Sequence, residues 1–171
     1  MSKNDARRSA LIDILADHVL REGLSTASLR PLAKAAGVSD RMLLYYFSDK
    51  ADLISAIVER IAARLVVILS EARTDTPLPL DALRAELVNI LFAEALWPYM
   101  RIWLEIASLA ARGDPFYRAV GGQMARGFLA WGAAQLASDN PARDAATLLV
   151  SIEGILLLKS VGLDDVCAAA V

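Results

Sequence analysis

The side chains best suited to chemistry in this sequence lie between Arg30 and Lys50, in the stretch RPLAKAAGVSDRMLLYYFSDK. An arginine such as Arg41 can donate two hydrogen bonds to guanine, and leucine or tyrosine side chains can contact thymine methyl groups. Tyrosine hydroxyls and lysine ammonium groups can bind phosphate oxygens. These residue types indicate a surface for duplex DNA, but the leucine and tyrosines could also pack against a larger domain.

Enzyme chemistry is hard to build from the remaining residues. His18 is the single histidine and has no plausible metal partners, so neither a histidine-based catalytic triad nor a zinc site is predicted. The glycines at 121, 122, 127 and 132 lie in a helical pattern with no preceding strand and form no phosphate-binding loop. We therefore expect no enzymatic activity, no cofactor and no bound metal.

The composition is unusually apolar, with 56% hydrophobic residues and a mean hydropathy of +0.42. No apolar run reaches the roughly 18 residues of a membrane span, because Arg64, Glu153 and Lys159 interrupt the longest ones. A subunit interface explains the excess of apolar residues better than a membrane span does. The N-terminus lacks a secretory pattern and Cys167 is the only cysteine, so we expect a cytoplasmic protein without membrane contact.

Charge is divided unevenly along the chain. Residues 1–50 carry eight basic and six acidic side chains, a net charge of +2, whereas residues 51–171 carry ten basic and fourteen acidic ones, a net charge of −4. A slightly basic N-terminal segment is compatible with a polyanionic partner. Because a net charge of +2 is small, the positions of the basic residues indicate a DNA partner better than their number does.

Helical periodicity runs through the whole chain, and the alternating pattern of strands is absent. The sequence therefore predicts an all-α fold. The predicted helices lie at about 5–21, 29–36, 40–47, 50–73, 81–95, 98–112, 115–137 and 142–161, with about two further turns after Gly162.

The first three predicted helices have the spacing of a helix-turn-helix. Gly37 ends the second helix, and Ser28 and Ser39 are the expected N-caps of the second and third. Because Pro31 has no N–H, the Ser28 hydroxyl is expected to bond to the N–H of Arg30.

On a helical wheel, the third helix has an inner and an outer face. Leu43 and Phe47 are four residues apart and must pack on the first two helices. The outer face and its flanks carry Asp40, Arg41, Met42, Leu44, Tyr45 and Tyr46. The helix-turn-helix spacing favours DNA contact by this outer face over packing on the rest of the chain.

The run from Gly23 to Lys50, with ADLISAI after it, resembles the DNA-binding segment of the tetracycline-repressor-like (TetR) family of bacterial transcription regulators. The resemblance implies an N-terminal helix-turn-helix DNA-binding domain at 1–48. A long helix would join it to a helical ligand-binding and dimerisation body at 49–171. The matching positions are Gly23, Ser28, Leu32, Ala33, Ala36, Gly37, Val38, Ser39, Leu43, Tyr46, Phe47, Lys50 and Leu53.

The resemblance also implies which side chains contact DNA. Tyr46 and Lys50 would bind phosphates, Lys50 from the first turn of the fourth helix, where the helix dipole favours an anion. The complete predicted set is Arg30, Ser39, Asp40, Arg41, Met42, Leu44, Tyr45, Tyr46 and Lys50. Arg7 and Arg8 could reach the DNA backbone, or could equally be solvated charges on a fraying helix end.

Three residues depart from the family pattern. Arg41 stands where many relatives have a small residue, which adds a candidate for reading guanine. Leu44 stands where tyrosine is common, which removes a hydroxyl. Pro31 replaces a frequent acidic residue, which removes the reciprocal capping box. The operator sequence therefore does not follow from the resemblance.

The C-terminal helices are expected to form a homodimer and a cavity for a small effector, as the resemblance implies. The helix at 142–161 is apolar nearly all round, so a two-fold partner would cover one side of it. Glu94 is expected to extend the apolar face of the helix before it, and Arg101 and Glu105 to pair with one another. The predicted ligand contacts, which could also be core, are Phe92, Glu94, Trp97, Met100, Trp103, Phe116, Met124, Phe128 and Trp131.

These observations predict a homodimeric, sequence-specific DNA-binding transcription regulator. We expect a repressor that an unidentified, largely hydrophobic small molecule releases from a pseudo-palindromic double-stranded operator. The alternative is a helical dimeric module that binds a ligand or a protein and carries a degenerate DNA-binding segment. The small charge excess and Leu44 favour that alternative slightly.

Overall fold

The computed structural model describes residues 3–72 and 76–169, and the long elements within those ranges are all helical. The predicted all-α fold is confirmed. None of the helices in these ranges has the length and apolar character needed to cross a membrane. The α-helices are α1 (Lys3–Glu22), α2 (Leu29–Ala35), α3 (Asp40–Tyr46), α4 (Lys50–Glu71), α5 (Leu80–Leu91), α6 (Trp97–Ala111), α7 (Pro115–Ala134), α8 (Pro141–Ser160) and α9 (Asp164–Ala169).

The chain divides into two compact units. The first unit combines Met1–Val66 with Arg101–Gly121, and the second combines Val67–Met100 with Gly122–Val171. Helices α1 to α3 lie wholly in the first unit, whereas α4, α6 and α7 contribute residues to both. Because this division follows packing contacts, the functional boundary expected between residues 48 and 49 stays a prediction.

The turn between α2 and α3 is a Schellman motif, which satisfies carbonyl groups that the end of a helix leaves without partners. The N–H of Val38 donates to the carbonyl of Ala33 at 3.0 Å, and the N–H of Gly37 donates to the carbonyl of Lys34 at 3.2 Å. Gly37 has φ 64°, a left-handed conformation that glycine adopts without steric cost. Gly37 and Val38 therefore end α2 and form the turn that leads into α3.

The two predicted serine caps differ in the structure. The Ser39 hydroxyl accepts a hydrogen bond from the N–H of Met42 at 3.2 Å, as predicted. Ser28 has the extended backbone of an N-cap, but its hydroxyl caps no N–H, so the predicted bond to Arg30 is wrong. Ser28 acts through its carbonyl, which accepts from the N–H of Leu32 at 3.1 Å, because Pro31 removes the donor that a capping hydroxyl commonly uses.

The core of the first unit anchors α3 from one side. Leu43 has no exposed surface and Phe47 is 2% exposed, so the predicted inner face of the third helix is confirmed. Helix α2 packs against both α1 and α3. The other buried apolar residues of these helices and of the part of α4 in the first unit are Leu11, Ile12, Leu15, Ala16, Val19, Leu32, Ala33, Leu53, Ile54, Ala56, Ile57, Val58 and Ile61.

Arg101 and Glu105 of α6 bind the backbone at the end of α1 and do not pair as predicted. Arg101 donates from Nη2 to the carbonyls of Leu20 at 2.7 Å and Arg21 at 2.9 Å. The Glu105 carboxylate accepts from the N–H of Ser25 at 3.1 Å. The last carbonyls of a helix and the N–H groups of the following turn have no helical partners, so they attract both side chains.

Gly23 is required at this junction for two reasons. Its φ is 89°, a conformation that residues with a side chain rarely adopt. A Cβ atom built at this position would also lie 2.8 Å from Oε1 of Glu105, which is too close for two non-bonded atoms. A side chain here would strain the backbone and displace Glu105.

In the second unit, α8 packs against α5 and α9. The sulfur of Cys167 in α9 is buried 3.5 Å from the carbonyl of Ile155. The residues of α5 and α8 that fill this core are Leu83, Leu87, Leu91, Ala145, Leu148, Ile152, Ile155 and Leu156.

Two helices of the second unit are shorter than predicted. A β-bridge joins the backbone of Leu78 to the residues that follow α7. The N–H of Leu78 donates to the carbonyl of Gln135 at 2.9 Å, and the N–H of Ala137 donates to the carbonyl of Leu78 at 2.8 Å. This pairing withdraws the residues after Ala134 from α7. Helix α5 ends at Leu91, and a short 3₁₀ turn, Glu94–Leu96, replaces its predicted last turn.

An ion-pair network links α1 to α4 within the first unit. Oδ1 of Asp13 lies 2.5 Å from Nη1 of Arg60 and 2.7 Å from Nη2 of Arg64. Arg64 also binds Asp17 at 2.6 Å, and Arg60 donates to the hydroxyl of Ser9 at 3.0 Å. The hydrogen bond from Arg60 lowers the pKa of the Asp13 carboxyl; burial opposes this effect, and Arg64 adds to it.

We predict that Asp13→Asn lowers the free energy of unfolding at pH 7 by about 1 kcal/mol or less, since the Asp13 side chain is 42% exposed and solvent screens the pairs. A lowered pKa stabilises the fold above the ordinary pKa of aspartate, and this stabilisation disappears as the pH falls through the pKa of folded Asp13. Urea unfolding at several pH values should show the two proteins converging in acid. Asp139→Asn, at an exposed position, is the control, and a difference that persists in acid would contradict the prediction.

Candidate nucleic-acid interface

The outer face of α3 presents large side chains to solvent. Tyr45 is 70% exposed, Leu44 46% and Met42 39%, and Asp40 and Arg41 are exposed as well. The anchoring of Leu43 in the core turns its neighbours outward, because residues one or two positions away are rotated by about 100° or 200° around a helix of 3.6 residues per turn. Leu44 and Tyr45 are therefore exposed in the single chain and do not contribute to the core of the first unit.

Tyr46 forms the rim of this face. It is half-buried, and its ring meets that of Tyr45 edge to face, with centroids 5.1 Å apart and planes at 87°. Edge-to-face pairs of this kind are favourable because ring edges carry positive and ring faces negative partial charge. The contact therefore limits the directions in which the exposed Tyr45 ring can point.

The remaining predicted contact residues lie on the elements just before and after α3 in the chain. Arg30 in the first turn of α2, Ser39 before α3 and Lys50 at the start of α4 are all exposed. The Ser39 oxygen is used in capping, which leaves its O–H as a donor. The role of the whole set in DNA contact stays a prediction.

Carboxylates already occupy the N-terminus of α4. Oδ1 of Asp49 accepts from the N–H of Asp52 at 2.8 Å, and Oδ2 of Asp52 accepts from the N–H of Ser48 at 2.9 Å. These negative groups offset the attraction of the helix dipole for a phosphate. The side chain of Lys50, and not the backbone of α4, is therefore the group here suited to an anion.

Arg8 has a structural role that the sequence analysis missed. Its Nε donates to the carbonyl of Tyr46 at 3.2 Å, and its guanidinium lies 4.7 Å from the centre of the Phe47 ring. Nη2 also lies 3.7 Å from Oδ1 of Asp52. The expectation of a solvated charge on a fraying end is wrong for Arg8, because the end of α3 supplies a carbonyl and an aromatic face. The sequence did hold one indication of this role, because Arg8 lies one helical turn before the buried Ile12 and so on the inner side of α1.

A groove of about 300 Å³ lies beside Arg8, between α1 and α4. Its polar lining includes Arg8, Asp52, Glu59 and Arg60, with both signs of charge present. The residues predicted to bind a ligand are absent from this lining. The groove is therefore distinct from the predicted effector site.

The predicted ligand contacts are divided between the two units. Trp103 and Phe116 belong to the first unit, and the other seven belong to the second. In the second unit the rings of Phe128 and Trp131 lie 5.6 Å apart. Glu94 is exposed in the 3₁₀ turn after α5, so the expectation that it extends the apolar face of that helix is wrong. A ligand role for the set stays a prediction.

One face of α8 is apolar and exposed in this chain. Val150 is 73% exposed and Leu157 59%, and Val161 just after the helix is 66% exposed. These positions are seven and four residues apart and therefore lie on one side of the helix, together with the exposed Gly154. We call Val150, Gly154, Leu157 and Val161 the α8 stripe. It is the side of the helix for which the sequence predicts a partner.

Comparison with known proteins supports the assignment of the N-terminal helices. Residues 18–57 match the model of the family described as bacterial regulatory proteins, tetR family. The HTH-type transcriptional regulator AcrR of Shigella flexneri is 31% identical over 100 residues, which are 58% of this chain and 46% of AcrR. The HTH-type transcriptional regulator BetI of Ectopseudomonas mendocina is 32% identical over 101 residues, which are 57% of this chain and 52% of BetI.

The chain spans about half the length of these curated relatives. The likeness in fold extends further along the chain. A crystal structure from Rhodococcus sp., assigned to the TetR family of transcriptional regulators, matches with a TM-score of 0.72 at 20% identity. The match covers 96% of this chain and 94% of the other, so the fold of the helices beyond the helix-turn-helix is shared as well.

We predict that Arg8→Lys lowers the free energy of unfolding by about 1 kcal/mol, because lysine keeps the charge but loses the planar contact with Phe47 and the Nε hydrogen bond to Tyr46. Urea denaturation followed by circular dichroism measures the change. Arg7→Lys, at the neighbouring exposed position, should change the stability by less than about 0.5 kcal/mol. Equal effects of the two substitutions would contradict the role assigned to Arg8.

Proposed function

We propose that this chain, whose residues 18–57 match the tetR family of bacterial regulatory proteins, is a sequence-specific DNA-binding transcription regulator. The observation that carries the proposal is the outer face of α3, where Arg41, Leu44 and Tyr45 are exposed on a helix anchored in a helix-turn-helix. An α-helix fits the major groove of B-DNA, where base edges differ in their donors, acceptors and methyl groups.

In the proposed complex, α3 lies in the major groove. Arg41 donates two hydrogen bonds to a guanine, and Arg30, Tyr46 and Lys50 bind phosphates on either side of the groove. Phosphate contacts provide affinity and register without sequence preference, and base contacts provide the selectivity. The Arg8 contacts with Tyr46 and Phe47 support this arrangement, since they hold the C-terminal end of α3.

We further propose that the regulator is a homodimer joined through the α8 stripe. Val150 and Leu157 are large apolar side chains exposed on a helix whose opposite side is buried, a pattern typical of subunit interfaces. A two-fold dimer would present two α3 helices to successive major grooves, about 34 to 36 Å apart, and would favour a pseudo-palindromic operator.

The regulator is proposed to be a repressor that a small, largely hydrophobic effector releases from DNA. Support comes from the match to the tetR family and from the aromatic residues of α6 and α7, among them Phe128 and Trp131. An effector that binds one arrangement of the two α3 helices more tightly would shift the population away from the arrangement that fits DNA.

Gel-shift titration against the DNA upstream of the chain's own coding region tests the DNA-binding proposal. Arg41→Ala should lower the preference for the specific site over random DNA by about 10- to 100-fold, the value of a two-bond arginine–guanine contact. Lys50→Ala should weaken specific and random binding alike and reduce the salt dependence by the equivalent of about one phosphate contact. Arg112→Ala, at an exposed position after α6, is the control. If the chain binds the upstream DNA and neither Arg41→Ala nor Lys50→Ala changes that binding, the proposal is contradicted.

Sedimentation equilibrium tests the proposed dimer. Leu157→Glu should raise the dimer dissociation constant by at least about 100-fold, because dimerisation would bury a carboxylate without a partner. Val67→Glu is the matched control, since Val67 is 54% exposed on α4 and lies outside the α8 stripe. Equal weakening of the dimer by both substitutions, or by neither, would contradict an interface at the α8 stripe.

A further inference from the structure

The α3 helix carries few side chains that can hydrogen bond to bases. Its seven residues, DRMLLYY, include no asparagine, glutamine, lysine, serine or threonine. Asparagine and glutamine are the side chains that bond to both major-groove atoms of adenine. The polar groups at hand are the Asp40 carboxylate, the Arg41 guanidinium and the tyrosine hydroxyls, so α3 lacks the usual hydrogen-bonding readers of A·T pairs.

The same helix exposes a large apolar surface. Met42, Leu44 and Tyr45 are exposed by 39%, 46% and 70%, so three large, mainly apolar side chains of α3 are available to a partner. Removing such surface from water is favourable only when the partner supplies apolar atoms in turn. In the major groove, the apolar group on the base edges is the C5-methyl of thymine.

The backbone beneath the apolar face is held in place before any partner binds. The rings of Tyr45 and Tyr46 meet edge to face, and the carbonyl of Tyr46 accepts the hydrogen bond from Arg8. Leu43 and Phe47 fix the other side of the helix in the core. Because the backbone of α3 is anchored in this way, it does not move to close the gap that a methyl group missing from the DNA would leave.

We propose that this chain selects its operator mainly through thymine methyl groups, contacted by Met42, Leu44 and Tyr45, with Arg41 reading a guanine beside them. This inference rests on the proposed DNA-binding function and adds the kind of base contact that provides its selectivity. Arg41 and Tyr45 lie about one helical turn apart, about 6 Å along α3, and a helix that follows the groove would spread this distance over at most about two base-pair steps. The guanine should therefore lie within about two steps of the contacted thymines.

The test begins with selection of duplexes by the full chain from a pool with 30 random base pairs. In the duplex that binds most tightly, each thymine is then replaced singly by deoxyuridine, which lacks only the C5-methyl group. Each contacted methyl should be worth about fourfold in affinity, the contribution of one buried methyl-sized group. We expect at least two such positions in each half-site and no effect at the other thymines.

Side-chain variants then assign each methyl group to a residue. Leu44→Ala should bind thymine and deoxyuridine duplexes equally well at one position of each half-site while remaining sensitive at the others. Ile14→Ala is the matched control, because Ile14 is 44% exposed, close to the 46% of Leu44, but lies on α1. This control should keep the complete deoxyuridine profile of the unaltered chain.

The outcomes separate this inference from the function on which it rests. If the pool yields no enriched sequence, the proposed function fails. If a sequence is enriched but no deoxyuridine substitution weakens its binding, the methyl inference is overturned and the DNA-binding function stands. An unchanged deoxyuridine profile in Met42→Ala, Leu44→Ala and Tyr45→Ala would overturn the inference as well, because the methyl contacts would then come from outside α3.

Discussion

The burial of Leu43 and Phe47 is the interaction on which the proposed function depends. These two anchors decide which side of a seven-residue helix meets solvent, and a helix this short is unstable without such packing. Arg8 adds a contact between charge and ring and a hydrogen bond at the last turn, so the helix is held at its C-terminal end as well. If this packing were lost, Arg41 and Tyr45 would have no defined direction, and no base-specific geometry could exist.

Two helix ends in the first unit are closed in different ways, one by side chains from a distant part of the sequence and one by the adjoining turn. Arg101 binds the last carbonyls of α1 and Glu105 binds the turn after it, whereas the α2 end is closed locally by Gly37. Ending a helix with hydrogen bonds from the adjoining turn needs only one residue, here Gly37, that adopts a left-handed conformation. Closure by side chains about 80 positions away in sequence needs the fold to bring the start of α6 beside the end of α1 within the first unit.

The α8 stripe and the outer face of α3 both expose apolar side chains in the single chain, and their chemistry differs. The α8 stripe consists of aliphatic side chains and a glycine, which suits the close approach of a second apolar surface. The α3 face mixes apolar side chains with Arg41 and tyrosine hydroxyls, and Arg30 and Lys50 are exposed on the neighbouring elements, which suits a polyanion whose groove contains methyl groups. We therefore propose a different partner for each of the two surfaces.

Periodicity and capping residues in the sequence by themselves determined the all-α class, the helix-turn-helix, the inner face of α3 and the Ser39 cap, because these depend on residues within a few positions of one another. Only the tertiary structure decided the partners of Arg8, Arg101 and Glu105, since each binds a backbone group or ring that is distant in sequence. It also decided the ends of α5 and α7. The Leu78 bridge takes the residues after Ala134 out of α7, and such competition between a helix and a long-range pairing leaves no mark in local sequence.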